Sequence, residues 1–412
     1  MRRTEAVVIG GGQAGLAMSR CLRNAGIDHV VLERGRVAER WRSTSWDSLR
    51  LLTPNWQSRL PGFRYDGPDP HGYMSAAELA GYLDRYARSF GAPVEEGTRV
   101  LALEQAGTGY RVTTDRGAWE APSVVIATGY CDAPLVPELA RGLPEDVLQV
   151  VPSRYRNPGR LPEGGVLVVG ASATGVQLAD EIHASGRPVT LAVGRHTRLP
   201  RVYRGRDILW WLDAMGVLDE STEEVFDLRI SRNQPSLQLV GRSDRATLDL
   251  AVLQQRGVRL AGRAAGAEDG RVFFADDLVA QTVAADARLA RLVQRIDVFA
   301  ARTGLDAELE PPEPFRPFFW PAPAPSQIDL RGEGIRTVVW ATGFRRHYPW
   351  LQVPVLDPRG EIRHEGGVTP FPGLYVIGLY FLRRRKSSFI DGVGRDAMDL
   401  TAHLAAWLRR AA

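Results

Sequence analysis

The chain has 412 residues, of which 44% are hydrophobic and 24% are charged, as is usual for a globular protein of two or three domains. The formal net charge of +4 is small, and the basic run at residues 383–386 is too short to suggest a nucleic-acid arm. No apolar run approaches the length of a membrane span, so we expect neither a nucleic-acid partner nor a membrane anchor.

The first predicted strand, Ala6-Val7-Val8-Ile9, runs directly into a glycine-rich turn that opens a predicted helix. In this context, backbone N–H groups and a helix N-terminus can face a pyrophosphate. The next strand ends at Glu33, whose carboxylate accepts hydrogen bonds from a ribose 2′-hydroxyl and repels a 2′-phosphate. This pattern predicts an adenosine dinucleotide with free ribose hydroxyls, such as FAD or NAD. The turn residues expected to contact it are Gly10, Gly12, Gln13, Ala14 and Gly15.

Loop, helix and short strands follow. A Trp- and Pro-rich loop over residues 46–73 precedes the capping box Ser75-Ala76-Ala77-Glu78, which predicts the start of an amphipathic helix that ends near Phe90. Short alternating segments predict a small β-meander over residues 98–104, 110–114 and 117–120. The strand Val124-Val125-Ile126 then ends in Ala127-Thr128-Gly129.

A second strand, Val166-Leu167-Val168-Val169, enters a second glycine-rich turn. The strand after this turn ends without an acidic residue and is followed by Arg195 and Arg198, with Arg201 beyond. Because guanidinium groups suit a phosphate dianion, this turn predicts NADP rather than NAD. The turn residues expected to contact it are Gly170, Ser172, Ala173, Thr174 and Gly175.

The rest of the chain predicts an insertion and a return. Residues 204–215 and 276–302 have helical patterns, and the Pro-rich stretch 311–325 reads as a returning linker. A strand then ends in Ala341-Thr342-Gly343, and the chain closes with a strand at 374–377 and a helix at 392–408. We therefore expect an α/β protein with two Rossmann-like dinucleotide-binding domains, the second inserted in the first. The predicted boundaries are 1–150, 151–325 with a helical insertion, and 326–412.

Cysteine and histidine usage excludes several kinds of site. Cys21 and Cys131 form no C-x-x-C motif, and the histidines show no metal-ligand spacing. We therefore expect no disulfide reductase, no metal site and a reducing, cytoplasmic location. The first predicted strand begins at Ala6, which leaves no room for a signal peptide.

The two glycine turns, each followed later by an Ala-Thr-Gly strand end, resemble those of the two-dinucleotide-binding flavoproteins. Within that group, three segments are similar to class B flavin monooxygenases, which include flavin-containing monooxygenases, plant auxin-forming monooxygenases and Baeyer–Villiger enzymes. These segments are Glu39-Arg40-Trp41-Arg42, Trp46-Asp47-Ser48-Leu49-Arg50-Leu51 and the stretch that ends at Tyr155.

The resemblance implies FAD in the first domain and NADPH in the second. Hydride would pass from nicotinamide C4 to flavin N5, and O2 would add at flavin C4a. The resulting (hydro)peroxyflavin would oxygenate a nitrogen, a sulfur or a ketone of a small organic substrate. Further FAD contacts implied are Glu33, Arg34, Trp41, Arg42, Val100, Ala127, Thr128 and Gly129. Further NADPH contacts implied are Arg195, Arg198, Ala341, Thr342 and Gly343.

Three departures from the family pattern keep other functions open. Val151 stands where the family fingerprint has a histidine, Leu52 stands at its flavin-facing asparagine, and Ser172 replaces the middle glycine of the second turn. One alternative is an FAD- and NADPH-dependent oxidoreductase that does not insert oxygen. Another is a redox-sensing flavoprotein that binds nucleotides without fast turnover. We expect a monomer or a homodimer.

Candidate catalytic residues are few. Asn55, with Thr53, is the nearest polar candidate for the missing asparagine. Lys386, the only lysine, either stabilises the anionic reduced flavin or lies on the surface. Asp391 either caps the last helix, the interpretation we favour, or contacts the flavin. We expect the substrate pocket where the 46–73 loop, residues 203–325 and the C-terminal loop meet the flavin.

Overall fold

Two parallel sheets of five strands each form the frame of the molecule. The structure, a computed structural model, describes residues 1–318 and 323–411. The strands in chain order are β1 (Arg2–Arg3), β2 (Ala6–Ile9), β3 (His29–Leu32), β4 (Arg59–Leu60), β5 (Phe63–Arg64), β6 (Val94–Glu95), β7 (Val100–Ala106), β8 (Gly109–Thr114), β9 (Gly117–Ala121), β10 (Ser123–Ile126), β11 (Ala133–Pro134), β12 (Leu148–Val150), β13 (Gly165–Val169), β14 (Val189–Ala192), β15 (Thr197–Arg198), β16 (Val202–Tyr203), β17 (Arg206–Asp207), β18 (Leu237–Gln238), β19 (Arg259–Ala261), β20 (Ala264–Glu268), β21 (Arg271–Phe274), β22 (Gln327–Asp329), β23 (Ile335–Trp340), β24 (Phe344–Arg345) and β25 (Leu374–Val376). The helices are α1 (Gln13–Asn24), α2 (Glu39–Ser43), α3 (Ala76–Ser89), α4 (Ala173–Ala184), α5 (Ile208–Ala214), α6 (Leu228–Arg232), α7 (Leu250–Gln255), α8 (Leu278–Thr303) and α9 (Ile390–Ala411).

The two sheets share one architecture. The first has the order β25-β10-β2-β3-β6 and the second β12-β23-β13-β14-β19, with all neighbours parallel. In each sheet, the strand that enters a glycine turn is central, and the strand that ends in Ala-Thr-Gly lies beside it. Strands β2, β3 and β10 are buried along their whole length, which explains their continuous apolar runs. The predicted α/β class with two Rossmann-like units, one inserted in the other, is confirmed.

The chain crosses between the sheets at points that differ from the predicted boundaries. Strand β12 joins the second sheet, although the prediction places it in the first domain. Strand β23 also joins the second sheet, so the chain returns to the first only after Trp340. The apolar pattern of one strand does not show which sheet it joins, and this explains the difference. We call residues 1–147 and 341–411 the first unit and 148–340 the second; their division into domains stays a prediction.

Most local predictions hold. The meander is β7-β8-β9, with β1 added at its edge. Ser75 Oγ accepts a hydrogen bond from Glu78 N–H at 3.2 Å, and Glu78 accepts one from Ser75 N–H at 2.7 Å, so the predicted capping box is present. The predicted linker at 311–325 includes residues 319–322, which lie outside the described residues.

The helix predicted from residue 204 begins later, at Ile208. Arg204 and Gly205 have φ angles of 50° and 73°, which a helix does not permit, and they form the turn between β16 and β17. The Asp207 carboxylate then caps the helix by accepting a hydrogen bond from Leu209 N–H at 2.8 Å. Trp211 on this helix is fully buried and packs in the protein core.

An ion cluster around the buried Lys386 joins the two units. Lys386 Nζ, in the first unit, lies 2.9 Å from Asp219 and 3.6 Å from Asp213, both in the second. It also lies 3.1 Å from Asp391 at the start of α9. Only 7% of the Lys386 side chain is exposed. We call these four residues the Lys386 cluster.

Backbone contacts reinforce this junction. Lys386 N–H donates to the Leu218 carbonyl, and Thr222 N–H donates to the Arg383 carbonyl at 2.8 Å. Two partly exposed arginines flank the cluster: Arg59 contacts Asp391 and Arg395 contacts Asp219. Within the described part of the chain, no helix is long and apolar enough to cross a membrane.

The two N-cap serines predict different effects on stability. Ser75 caps α3 with its side chain, whereas Ser172 occupies the N-cap of α4 without a side-chain cap bond. We expect Ser75→Ala to lower the free energy of unfolding by about 1 kcal/mol. Ser172→Ala, the matched control, should leave the cofactor-free protein unchanged in thermal unfolding. Equal shifts in both variants would contradict this account.

The Lys386 cluster predicts a pH-dependent contribution to stability. Burial lowers the pKa of Lys386, but hydrogen bonds and charges from Asp219 and Asp391 outweigh burial and hold that pKa above 10.5. Burial raises the pKa of Asp219, but Lys386 and Arg395 hold it below 3.8. The Lys386 contribution is complete below pH 10.5 and is lost as pH rises through its folded pKa. The Asp219 contribution is present above pH 3.8 and is lost as pH falls through its folded pKa.

We therefore expect Lys386→Met to lower the free energy of unfolding by about 2 kcal/mol near neutral pH, because it removes charge-assisted hydrogen bonds to Asp219 and Asp391, which keep Arg395 and Arg59 as partners. Arg395→Gln, which removes a partner with 56% of its side chain exposed, should have a much smaller effect. Thermal unfolding at several pH values measures both. A Lys386→Met deficit that stays constant well below pH 3.8 would be the contradicting result.

Candidate dinucleotide sites

The two glycine turns have the same geometry. Gly10 N–H donates to the Leu32 carbonyl at 2.8 Å, and Gly170 N–H donates to the Ala192 carbonyl at 3.0 Å. Both glycines have positive φ, 114° and 106°. A Cβ atom on Gly10 would lie 2.6 Å from the Ala127 carbonyl oxygen, so only glycine fits there.

The last glycine of each turn is constrained further. A Cβ atom on Gly15 would overlap the Gly10 carbonyl, and one on Gly175 would overlap the Gly170 carbonyl. The Gly170 position is closed in turn by the carbonyl of Ala341. Both Ala-Thr-Gly segments therefore lie directly against a glycine turn, while the predicted cofactor contacts of Ala127-Thr128-Gly129 and Ala341-Thr342-Gly343 stay a prediction.

The middle of the first turn is open. A Cβ atom on Gly12 would have nothing within 4 Å, so this cradle has room for a pyrophosphate at the N-terminus of α1, where Gln13 and Ala14 begin the helix. Ser172 has nearly the same backbone angles as Gly12, −81° and −170° against −86° and −172°. Its side chain replaces the open space but leaves the path of the backbone intact. Both turns therefore fit a dinucleotide.

The two sites differ at the next strand end. Ile9 pairs with Leu32 and Val169 pairs with Ala192, so Glu33 and Val193 occupy equivalent positions. Glu33 is buried and accepts hydrogen bonds from Gly11 N–H at 2.7 Å and Gly35 N–H at 2.9 Å. Val193 is fully buried and apolar. Only the first site therefore has a carboxylate beside its turn.

The predicted arginines of the second site separate into two kinds. Arg198 contacts Asp249 at 2.8 Å and Asp286 at 2.6 Å, with 15% of its side chain exposed, so its charge is already paired. Arg201 is fully buried and paired with Asp207. Arg195 is exposed and makes no ion pair within residues 1–318 and 323–411.

Two arginines of α8 complete a basic cluster that the sequence analysis missed. Arg288 donates to the His196 carbonyl at 2.8 Å, next to Arg195. Burial lowers the pKa of Arg288, and the nearby positive charges of Arg195 and Arg291 lower it further. No ion pair neutralises Arg288 or Arg291 in the part of the chain that the structure describes. Because α8 lies far along the chain, no local pattern indicated this cluster.

The remaining predicted FAD contacts lie in the first unit, and the two arginines among them are paired with aspartates. A cleft of about 630 Å³ beside Gly35 is lined by Arg34 among other residues. Arg34 contacts Asp132 at 2.6 Å, and Val100 begins β7, half-buried. Trp41 is partly buried and packs against the apolar core around the first sheet. Arg42 donates to the Val37 carbonyl at 3.1 Å and pairs with Asp84, so its guanidinium is already engaged with other groups of the protein.

The Asn55 carboxamide forms hydrogen bonds with the backbone nearby in the chain. Its Nδ2 donates to the Asp69 carbonyl at 2.8 Å, and its Oδ1 accepts from Met74 N–H at 2.8 Å. These contacts lie within its own part of the chain and leave the carboxamide engaged with backbone. The neighbouring Gln57 is fully buried, and neither of its amide atoms has a hydrogen-bond partner among the described residues.

The structure excludes one of the two interpretations of Lys386 and of Asp391, and contact of either residue with a flavin stays a prediction. Lys386 is buried and surrounded by three carboxylates, so it is neither a surface lysine nor an unpaired charge. Helix α9 begins at Ile390, which places Asp391 inside the first turn, so the favoured helix-cap interpretation is wrong. Asp391 instead pairs with Arg59 at 2.6 Å and with Lys386.

Two of the three segments that carried the family resemblance meet at the junction of the units. Tyr155 OH donates to Glu181 on α4 at 3.3 Å, and Ser48 Oγ donates to the same carboxylate at 2.5 Å. Burial raises the pKa of Glu181. Asp47 N–H donates to the Arg156 carbonyl at 2.9 Å. Val151 occupies the position where the family has a histidine. It is half-buried, and its side chain cannot form a hydrogen bond.

Among the described residues, the two cysteines form no disulfide and the potential metal ligands form no site. Cys21 and Cys131 are both free, and burial raises the pKa of each thiol. Among the residues that the structure describes, no group of three or more histidine, cysteine or acidic side chains could hold a metal ion.

Comparison with known proteins places the chain in a family. Residues 7–209 match the family described as pyridine nucleotide-disulphide oxidoreductase. A CzcO-like oxidoreductase of Geobacillus kaustophilus is 34% identical over 95% of this chain and 96% of that protein. The rice indole-3-pyruvate monooxygenase YUCCA4 is 31% identical, over 42% of this chain and 44% of that protein.

A solved structure supports the fold. The flavin-containing monooxygenase of Stenotrophomonas maltophilia matches with a TM-score of 0.68 and 20% identity, over 99% of this chain and 100% of that one. This agrees with the two sheets and two glycine turns, and it confirms the resemblance to class B flavin monooxygenases at the level of the fold. The chain belongs to the CzcO-like oxidoreductases, and its fold is that of the class B flavin monooxygenases and other two-dinucleotide-binding flavoproteins.

Proposed function

We propose that this protein is an NADPH-dependent FAD monooxygenase that transfers one oxygen atom of O2 to a small organic molecule. In the balanced reaction, NADPH, H⁺, O2 and substrate give NADP⁺, water and the oxygenated substrate. The observation that carries the proposal is the pair of equivalent turns with different strand ends, Glu33 beside one and Val193 beside the other. Two different dinucleotides in one chain imply electron transfer between them.

The first turn would hold FAD. Backbone N–H groups at the start of α1 would face its pyrophosphate, and Glu33 would accept hydrogen bonds from its ribose. Arg34 directly follows Glu33 and would border the adenosine end, although Asp132 already pairs with it, whereas Arg42 is engaged with Val37 and Asp84. Bound FAD would supply a hydride acceptor and a centre that reacts with O2.

The second turn would hold NADPH. Ser172 Oγ, free of a cap bond, can donate to a phosphate oxygen. Arg195, Arg288 and Arg291 would bind the 2′-phosphate, because their charges are unpaired within the described ranges and Val193 offers no repelling carboxylate. Arg198 is excluded from this role because Asp249 and Asp286 already pair with it.

Two observations favour an oxidoreductase that does not insert oxygen. Val151 supplies no hydrogen bond where the family has a histidine, and Asn55 is engaged with backbone rather than free to contact a flavin. In this alternative, NADPH would still reduce the flavin, but O2 would leave as H2O2.

The discriminating experiment mixes the flavin-loaded protein with NADPH under air, with and without amines, thioethers, indoles and ketones. We expect at least one compound to lower H2O2 release while O2 consumption continues, and to acquire an oxygen atom from labelled O2. Stoichiometric H2O2 with every compound would instead support the reductase. A flavin that NADPH does not bleach would support a redox sensor.

The basic cluster predicts the cofactor preference. Arg195→Ala and Arg288→Ala should each raise KM for NADPH about tenfold or more, because each removes a charge-assisted hydrogen bond to the 2′-phosphate. KM for NADH should stay unchanged. Arg302→Ala, an exposed position at the end of the same helix, is the matched control and should alter neither value. An unchanged NADPH-to-NADH preference in both cluster variants would refute the assignment.

A further inference from the structure

Residues 43–48 belong to the first unit, yet the second unit holds them in place. Trp46 is buried in the apolar core around the second sheet, among side chains of the second unit. Ser48 Oγ donates to the Glu181 carboxylate on α4 at 2.5 Å. We call residues 43–48 the bridging segment, because contacts with both units fix its position.

Arg156 of the second unit makes the largest set of polar contacts with this segment. Its guanidinium donates to the carbonyls of Ser43 and Ser45, through its two Nη atoms. Its own carbonyl accepts a hydrogen bond from Asp47 N–H at 2.9 Å. Ser43 is the last residue of α2, so Arg156 supplies donors and a positive charge where the helix leaves carbonyls without partners. Within the described residues, Arg156 forms no ion pair that would draw it elsewhere.

The bridging segment lies between the two glycine turns. At the start of α2, Ala38 N–H donates to the Gly11 carbonyl of the first turn at 3.1 Å. At the other end, Glu181 belongs to α4, which begins at Ser172 in the second turn. The short helix α2 and the bridging segment thus connect one turn to the helix that opens at the other.

The distance between the turns matters for electron transfer. The backbone joins the two units at only two places, 147–148 and 340–341, so non-covalent contacts must fix how the units are placed. A hydride donor and its acceptor react efficiently only when the reacting atoms are held about 3–3.5 Å apart. A contact that fixes the first turn relative to the second can therefore control the rate of the transfer.

We propose that Arg156 sets the relative position of the two dinucleotide sites by fixing the bridging segment between them. This inference rests on the proposed function, because it requires hydride to pass from NADPH at the second turn to FAD at the first. In that step NADPH, H⁺ and FAD give NADP⁺ and FADH2. Arg156 is a positioning residue, since it makes no hydrogen bond to either glycine turn within the described ranges.

The test follows flavin reduction by NADPH in the flavin-loaded protein, without oxygen, by stopped-flow absorbance. Arg156→Met should lower the limiting rate of reduction about tenfold or more, because the reacting atoms lose their alignment. The NADPH concentration that gives half of this rate should stay within about twofold, because the residues of the second turn are unaltered. Reduction by dithionite, which does not use the second turn, should not change.

Arg154→Met is the matched control, because Arg154 is an exposed arginine two residues earlier in the chain. It should leave every value unchanged. Arg156→Lys is a second variant in case the methionine variant does not fold. It keeps the charge but not the planar fork that reaches two carbonyls, and it should slow reduction by NADPH about threefold or more.

A second measurement does not depend on turnover. In the purified protein without NADPH, amide hydrogen exchange in residues 44–48 should be faster in Arg156→Met than in the unaltered protein, and unchanged in Arg154→Met. Unchanged exchange in Arg156→Met would show that this arginine does not hold the bridging segment.

An unaltered rate of reduction by NADPH in a folded Arg156 variant would overturn the inference. Equal slowing with NADPH and with dithionite would also overturn it, because it would show general damage to the flavin site. A different result identifies failure of the proposed function. If the unaltered protein released stoichiometric H2O2 with every compound while Arg156→Met still slowed reduction, oxygen insertion would fail and Arg156 would keep its role. A flavin that NADPH does not reduce in the unaltered protein would overturn both.

Discussion

The close approach of two backbone segments controls both dinucleotide sites: the Gly10 carbonyl lies against Gly15, and the Gly170 carbonyl lies against Gly175. No side chain fits at these crossings, so each helix can begin directly at the end of its strand with its N-terminus facing open space. The neighbouring Ala127 carbonyl closes the first turn from the other side. The same steric arrangement therefore forms a cradle in both sites. The two sites differ further along the chain, at the ends of the next strands.

That differentiation uses residues from distant parts of the chain. Glu33 marks the first site locally, but the second depends on a basic cluster shared between the end of β14 and helix α8. Gln238 reaches the same turn from another segment, and the Lys386 cluster holds the neighbouring Asp219 region to the first unit. Helix α4, which begins at the second turn, contacts the first unit through Glu181 and Ser48, so a nucleotide at that turn would bind an element of the junction between the units.

The sequence predicted what local chemistry determines. Both strand–turn–helix units, the meander and the Ser75 cap could be predicted because short-range periodicity and cap chemistry specify them. Sheet membership of β12 and β23 could not, since it depends on long-range pairing. The roles of charged residues were the hardest to predict from the sequence. Arg198 and Lys386 carry the right charge for a cofactor, but aspartates from elsewhere in the chain pair with them. Gln57 and Gln238 stand out only because the structure shows their atoms buried without partners.

The central claim is that one chain binds a flavin and a pyridine dinucleotide together, so that electrons pass between them. An anaerobic titration of the purified protein with NADPH, followed by the visible spectrum of the flavin, tests it most directly. The account predicts one FAD per chain, bleached by one equivalent of NADPH. A chain that binds only one dinucleotide in total, or a flavin that stays oxidised in excess NADPH, would contradict it.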